Sequence, residues 1–343
     1  MNNTYYIGTD LHSNNIELAV RYRQKVIQRY SLPTSLPPVL EVVNSIKGKK
    51  QMAVEEGPMA GWLYRGIFGK VDRFVVAEPR RNKLISSEGD HDDGIDSAKL
   101  AMLLEGGFLK EVYHPLDREQ AVLKKWVTLY HDNVKDAVRY INKIRACCRM
   151  EAIKVPRYVI RSLDKRRQWL IELEYQDIAE QLDLLFIGYD AASCQCRLAR
   201  QKIIKLSKSY PVIKQFQELP GVGIIRAVTF LAYIDTPWRF KKKSQLWKYC
   251  GIGLERTTSG KDKYGNSKPA KLKLPYNCNR TLKNVIIGAA ISAIRQKNSL
   301  FAQDYERMIS NGINRSNARH TVARKILTTM WGIWKSSFQY NTD

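Results

Sequence analysis

The hydrophobic pattern of this chain changes near residue 115, and that change limits the folds it can adopt. Before this point, short apolar runs rich in β-branched and aromatic residues alternate with turn signals and stretches of helical spacing. After Arg118, apolar residues recur three or four positions apart over long stretches, with Lys and Arg on the other faces. Alternating strands and helices are typical of an α/β layer, whereas the longer period indicates helices. We therefore expect an α/β domain followed by a mainly helical remainder.

The N-terminal part predicts five strands and two short helices. A turn-rich break is expected over Ser31 to Pro38, and helical spacing starts near Leu40 and again after Gly61. The predicted strands are Tyr5 to Asp10, Ile16 to Tyr22, Val26 to Tyr30, Met52 to Glu55, and Phe74 to Ala77. Their β-branched and aromatic content favours a sheet.

The pattern divides the chain into three expected regions, 1–115, 116–208 and 209–343. In the middle region, two long helices with charged outer faces predict a coiled-coil-like hairpin, which is a common partner-binding device. Charged pairs there, such as Lys124-Lys125 and Arg166-Arg167, are interpreted as solvated helix faces, with contact to an RNA or DNA backbone as the alternative. Pro156 is expected to end one helix or begin the next.

Acidic residues follow two of the predicted strands and open a helix. Asp10 ends the first strand and shares a face with His12, Glu55 ends a later strand, and Asp93 and Asp96 stand three apart on one helix face. Converging carboxylates repel unless a cation neutralises them, and oxygen ligands suit Mg²⁺ or Mn²⁺. Two such ions about 4 Å apart can clamp a phosphodiester. Acids are also common in solvated turns and at helix N-caps, so the spacing alone leaves both interpretations open.

The charge balance favours a polyanionic partner. There are 57 Lys and Arg against 33 Asp and Glu, a formal charge of +24. Nucleic acid is the first expectation and an anionic membrane surface the second. No apolar run is long enough for a transmembrane helix and the first residues lack the pattern of a secretory signal, so we expect a cytoplasmic protein without a membrane partner.

The third region carries a glycine turn and a basic, aromatic-rich segment. Gly221 and Gly223 lie in a turn before a helix, where exposed N–H groups can bind phosphate, although a tight helix–helix turn has the same pattern. Interleaved aromatic residues favour contacts with nucleic-acid backbone and bases. The expected cationic contacts are Arg239, Lys241, Lys242, Lys243, Arg256, Lys261, Lys263, Lys268, Lys271 and Lys273. Ser259 lies in this basic loop as a possible nucleophile on phosphorus, or as an ordinary Ser-Gly turn.

Taken in order, these motifs resemble the DEDD transposases of bacterial insertion sequences, in the IS one-ten group and its eleven-eleven branch. The series covers nearly the whole chain, and its order is more specific than any one motif. It comprises Gly8-Thr9-Asp10-Leu11-His12, Glu55-Glu56-Gly57-Pro58, Asp93-Gly94-Ile95-Asp96, Leu219-Pro220-Gly221-Val222-Gly223, Arg239-Phe240, Tyr249-Cys250-Gly251-Ile252, and Ser259-Gly260.

The resemblance implies an α/β RNase H/RuvC-like N-terminal domain, a coiled-coil middle and a mainly α C-terminal transposase domain. It implies Asp10, Glu55, Asp93 and Asp96 as metal ligands and Ser259 as a nucleophile that joins DNA covalently. It also implies an RNA-guided bridge recombinase, in which a non-coding guide RNA pairs with donor and target DNA. Four strand ends take part in recombination, so we expect homodimers that assemble into a homotetramer, acting in the bacterial cytoplasm or nucleoid.

The sequence departs from the family pattern at two of the acidic positions. Asp90 and Asp92 stand close to Asp93 and leave the register of the third ligand open, and Glu56 is an alternative to Glu55. Two other functions remain open. One is a metal-dependent junction-resolving nuclease in which water is the nucleophile, and the other is a nucleic-acid-binding protein with an inactive acidic site.

Overall fold

The computed structural model describes residues 3–79, 93–257 and 271–339, without the side chains of residues 93–95, 257, 271, 338 and 339. The chain forms two compact units, Met1–Arg118 and Glu119–Asp343. The first is built on a sheet and the second is mostly helical.

Five strands form one mixed sheet in the first unit. Its strands are β1 (Thr4–Leu11), β2 (Asn15–Tyr22), β3 (Lys25–Pro33), β4 (Lys49–Glu55) and β5 (Arg73–Ala77). They lie in the order β3-β2-β1-β4-β5, where β1 pairs antiparallel with β2 and parallel with β4. The α/β expectation is confirmed, with a five-stranded mixed sheet in this unit.

Helices cover both faces of this sheet. They are α1 (Leu36–Ser45), α2 (Ala60–Ile67) and α3 (Asp93–Glu105). Alternation along the strands sends Ile7, Met52 and Val54 into a core shared with α1 and α2. It sends Ala53 and Val75 to the opposite face, against Leu100 and Leu104 of α3. The face that carries Ala53 also carries every second residue before and after it.

The predicted break over Ser31 to Pro38 is wrong at both ends. Strand β3 continues to Pro33, and α1 begins at Leu36. Pro37 and Pro38 fit the first helical turn because the N–H groups there have no partner within the helix.

The second unit begins with two long helices joined by two short ones. These are α4 (Arg118–Met150), α5 (Arg157–Arg161), α6 (Leu163–Ile171) and α7 (Gln176–Ser207). The long pair is antiparallel, because Cys147 contacts Gln181 near one end and Cys196 contacts the Tyr130 carbonyl near the other. At Gly188, a Cβ atom would lie 2.3 Å from the Tyr140 ring, so the helices are in close contact between these points.

Arg166 corrects the interpretation of the Arg166-Arg167 pair as a solvated face. Its guanidinium is buried over the Phe186 ring, 4.2 Å from the centroid. It donates to the Val159 carbonyl at 3.1 Å and to Asp190 at 2.5 Å. The residue therefore joins α5, α6 and α7 at the end of the hairpin.

Two short strands pair with each other, and the remaining helices pack around an apolar core. Phe216, Phe230 and Trp334 meet edge to face within it. The elements are α8 (Val212–Gln217), α9 (Ile224–Ile234), α10 (Lys243–Tyr249), β6 (Glu255–Thr257), β7 (Lys271–Lys273), α11 (Arg280–Ile294), α12 (Leu300–Ser310) and α13 (Arg315–Gln339). In the described parts of the chain, no helix combines the length and apolarity that a membrane crossing needs.

Candidate functional site: an acidic cluster and a basic helical surface

Asp10 and Glu55 lie side by side at the ends of the two central strands. Strands β1 and β4 are parallel, with Gly8 opposite Ala53 and Thr9 opposite Val54. Asp10 and Glu55 occupy the next position along each strand. Because Ala53 faces α3, Glu55 faces α3 as well, and Asp10 projects from the same face as Gly8.

Helix α3 brings a third acid to this face through a backbone-to-backbone contact. A Cβ atom at Gly8 would lie 1.9 Å from the Ser97 carbonyl oxygen and 2.5 Å from the Ala101 nitrogen. Only glycine allows this approach, which sets the start of α3 directly on β1. Asp96 immediately precedes Ser97, and so it reaches the end of the sheet where Asp10 and Glu55 stand.

The pKa of Glu55 reports the resulting electrostatic environment. Although the residue as a whole is exposed, partial desolvation of its carboxyl raises the pKa above the ordinary value of 4.5, and the charges of Asp10 and Asp96 raise it further. Asp10 is itself bonded to His12, whose Nε2 lies 2.9 Å from Oδ2. The shared face of Asp10 and His12 is confirmed.

This donor set is of the kind that a divalent cation prefers. Carboxylates that disfavour each other's charge gain from a cation, and hard oxygen ligands select Mg²⁺ or Mn²⁺. Among the described side chains, no group of three or more His, Cys, Asp or Glu is close enough to hold an ion by itself. Mg²⁺ commonly takes only one or two carboxylates, completing its shell with water and substrate phosphate, so the cluster fits such an ion.

Of the other acids that the sequence offers as ligands, Glu56 is described by the structure, whereas the side chains of Asp90, Asp92 and Asp93 are not. Asp93 is the first residue of α3, but its side chain is outside the described part of the structure, as are Asp90 and Asp92 altogether. Strand β4 ends at Glu55, so Glu56 lies one residue beyond the strand, and its N–H donates to the Ala77 carbonyl at 2.9 Å. Glu55 is therefore the better-placed of the two neighbouring glutamates.

The described cations of the basic segment in the second unit are of two kinds. Most are exposed to solvent, and Arg239 is largely buried. Lys241, Lys242, Lys243, Arg256 and Lys273 are exposed. Ser259, Lys261, Lys263 and Lys268 lie outside the described residues, as does the side chain of Lys271.

Arg239 differs from the nucleic-acid contact that the sequence predicts for it. Its side chain is only 13% exposed, and it donates to the Tyr233 carbonyl at 2.9 Å and to Asp235 at 3.3 Å. It also stacks on the Tyr249 ring at 4.5 Å. Its guanidinium is engaged in the fold.

The two turn glycines have separate surroundings. Gly221 has φ +80°, and a Cβ atom there would lie 2.3 Å from the Ala289 carbonyl, so this glycine lets the turn pack on α11. Gly223 is the N-cap of α9, and a Cβ atom there would meet nothing within 4 Å. Of the two, Gly223 is the position open to an approaching phosphate.

Asp235 is a buried acid that the sequence analysis missed. It has φ +69° and ψ −46°, a strained conformation for a residue other than glycine. Burial raises its pKa, which Lys124 and Arg239 partly oppose, and its Oδ1 has no hydrogen-bond partner among the residues that the structure describes. An Asp-Thr-Pro sequence is typical of a turn, and nothing in it indicates burial.

Comparison with known proteins gives one family match. Residues 213–306 match the model described as "Transposase IS116/IS110/IS902 family". A search of curated proteins finds no match. The matched segment runs from α8 into α12, and so it covers the glycine turn and the basic segment but not the acidic cluster. This match shows that the segment, which is less than half of the chain, is similar to transposases of that family.

Proposed function

We propose that this protein is a recombinase that excises and inserts a mobile element by a serine-dependent reaction at a DEDD metal site. The single observation that carries the proposal is the convergence of Asp10, Glu55 and Asp96 at one end of the sheet, where burial and then the charges of Asp10 and Asp96 raise the pKa of Glu55. Acids gathered at the ends of central strands suit phosphoryl transfer better than they suit stability. The mixed sheet that bears them supports an RNase H/RuvC-like domain.

Each group in the proposed reaction has a defined task. Asp10, Glu55, Asp93 and Asp96 would hold Mg²⁺ or Mn²⁺, which supplies positive charge against the phosphate. His12 orients Asp10 through its 2.9 Å contact. The Ser259 Oγ attacks a DNA phosphorus, an Oγ–P bond forms as a P–O bond of the strand breaks, and a DNA hydroxyl leaves. Attack by a DNA hydroxyl on the phosphoserine ester then restores the serine and reseals a strand.

An exposed apolar stripe on α7 supports assembly into homodimers. Leu184, Ile187, Ala191, Cys194 and Leu198 are all exposed and alternate in steps of three and four residues. Leu184 is 70% exposed and Ile187 59%. This is the spacing of a coiled-coil seam, which a second copy would cover. Two such dimers would make the tetramer that four strand ends require.

The excess of +24 is consistent with a guide RNA as well as DNA. In an RNA-guided system, base pairing selects the sequence while the protein binds backbone and shape. The exposed lysines at 241–243 offer backbone contacts of that kind.

The reaction is tested by incubating the full-length protein with DNA carrying the element ends, the element transcript and Mg²⁺. We expect a covalent protein–DNA adduct and strand exchange in the wild type, and neither in Ser259→Ala. Ser267→Ala is the matched control because this serine belongs to the same basic loop. Cleavage without an adduct, unchanged in Ser259→Ala, would instead identify a nuclease that uses water. Binding without any cleavage would identify an inactive binding protein.

A further inference from the structure

Two cavities in the second unit meet at a tryptophan and an arginine. The larger, of about 780 Å³, lies among α10, α12 and α13, and the smaller, of about 210 Å³, lies next to β6. Trp247 and Arg324 line both. The larger volume falls within the range of about 300–1,000 Å³ that is typical of sites for small organic groups.

The larger cavity has an apolar wall with a flat ring held in place. Leu219, Leu300 and Phe301 supply apolar surface. The indole Nε1 of Trp247 donates to the Thr328 hydroxyl at 3.0 Å, which fixes the ring. A fixed aromatic ring beside apolar side chains is a suitable stacking surface for a base.

The rim of the cavity carries unbalanced positive charge. Among the described residues, Lys243, Arg324 and Lys325 line it together with one acid, Asp304. That acid is already paired with Lys325 and with Arg307. An acidic strand therefore complements this cleft better than an apolar helix of a protein does.

Arg324 is a partly buried cation of this rim, and its guanidinium lies over the Trp247 ring, 5.9 Å from the centroid. Its Nε donates to the Ile252 carbonyl at 2.7 Å, and burial lowers its pKa. In the described ranges, no acid forms an ion pair with it. A partly desolvated guanidinium without an acid gains from a phosphate, which it can bind with two parallel N–H groups.

We propose that this cleft binds one unpaired deoxynucleotide of the DNA substrate, with the phosphate on Arg324 and the base in the larger cavity beside Trp247. The inference rests on the proposed function, since the family match supports a DNA substrate. It adds a site at which the strand is held unstacked while it is cut. The exposed lysines at 241–243 lead the backbone to this cleft, because Lys243 both begins α10 and lines the cavity.

The test is binding of the full-length protein to a short single-stranded DNA that contains 2-aminopurine, without Mg²⁺. Anisotropy gives the affinity, and the 2-aminopurine emission reports unstacking from its neighbours and stacking on the protein. We expect Arg324→Gln to weaken binding about tenfold and to lower the salt slope by about 0.7, the value for one phosphate contact on a single strand. Trp247→Phe should leave the affinity within about threefold, because a ring remains, but should change the emission of the bound probe.

The matched control is Arg315→Gln, which removes one charge from the same helix at an exposed position that lines neither cavity. Equal losses in Arg315→Gln and Arg324→Gln would overturn the proposal, since they would show only general attraction. Tighter Arg324-dependent binding of single-stranded RNA would overturn the assignment to DNA. Loss of self-association in Arg324→Gln with unchanged DNA binding would identify an interface between copies instead. Because oligonucleotide binding needs neither Ser259 nor metal, its failure is distinct from failure of strand exchange.

Discussion

Replacing Gly8 by alanine perturbs the contact that gathers the acids. The new Cβ atom would lie 1.9 Å from the Ser97 carbonyl oxygen, whereas ordinary contact begins at 3.4 Å. The helix α3 and the strand β1 must therefore separate by about 1.5 Å. Because the clashing atoms are backbone atoms, no side-chain rotation relieves the contact. Overpacking of this kind costs about 3 kcal/mol, at the upper end of the usual range.

For a unit of this size, that cost corresponds to a fall in Tm on the order of 10 °C. Thermal unfolding followed by circular dichroism measures it. Gly57→Ala is the matched control, because a Cβ atom at Gly57 meets no described atom within 4 Å and the residue follows the Glu55-Glu56 pair. Its Tm should be unchanged or slightly higher. Equal Tm values for the two variants would refute the packing argument, and with it the placement of Asp96 beside Asp10.

Three further predictions concern other parts of the chain. Leu184→Lys should convert dimers to monomers in analytical ultracentrifugation. Ile171→Lys is the control, because this residue is similarly exposed but lies outside the seam, and it should leave the dimers intact. Dimers in both variants would show that the seam is not the interface. Burial lowers the pKa of His131 to about 4, so the unfolded chain takes up this proton at a higher pH than the folded protein does. The contribution of His131 to the free energy of unfolding is therefore full above pH 6.5 and is lost as the pH falls towards 4. In His131→Gln, the free energy of unfolding should therefore change less with pH over this window, by about 1–2 kcal/mol after allowance for solvent screening. An unchanged pH profile would contradict the burial of His131. Arg166→Ala should lower the free energy of unfolding by about 2 kcal/mol, because it removes a buried side chain from the Phe186 ring and leaves the Val159 carbonyl without its donor, whereas the half-exposed Asp190 carboxylate is rehydrated. A loss under about 0.5 kcal/mol in urea unfolding would show that Arg166 is a solvated residue.

The strands and long helices could be predicted from the sequence because each is encoded locally. Apolar alternation gave the strand that ends at Asp10 and the one that ends at Glu55, and helical spacing gave α4 and α7. The role of Gly8 could not be read in the same way. It depends on the backbone of α3, a segment almost ninety residues later in the chain.

Side-chain burial was the part that sequence could not supply. Arg239 and Arg166 have the same local setting as solvated cations, yet tertiary contacts turn both inward. The surroundings of Asp235 and Arg324 come from residues distant in sequence. Asp235 pairs with Lys124, and Arg324 donates to the Ile252 carbonyl. The acidic cluster could be predicted from the sequence in part. Asp10 and Glu55 were predicted from strand ends and Asp96 from the start of a helix, while the role of the cluster as a metal site stays a prediction.

The raised pKa of Glu55 has its own consequence for stability. A carboxyl with a raised pKa favours the fold most below its ordinary value of 4.5, and that contribution is lost as the pH rises. Without divalent ions, its charge at neutral pH is therefore unfavourable, by less than about 1 kcal/mol for an exposed group. A bound cation would reverse this effect.

Titration of Mn²⁺ into the full-length protein, followed by calorimetry, tests the central claim most directly. The account predicts that Glu55→Gln weakens Mn²⁺ binding at least about tenfold, while the neighbouring Glu56→Gln leaves it unchanged. Wild-type affinity in Glu55→Gln, or an equal loss in both variants, would contradict the assignment of Asp10, Glu55 and Asp96 to a shared cation site.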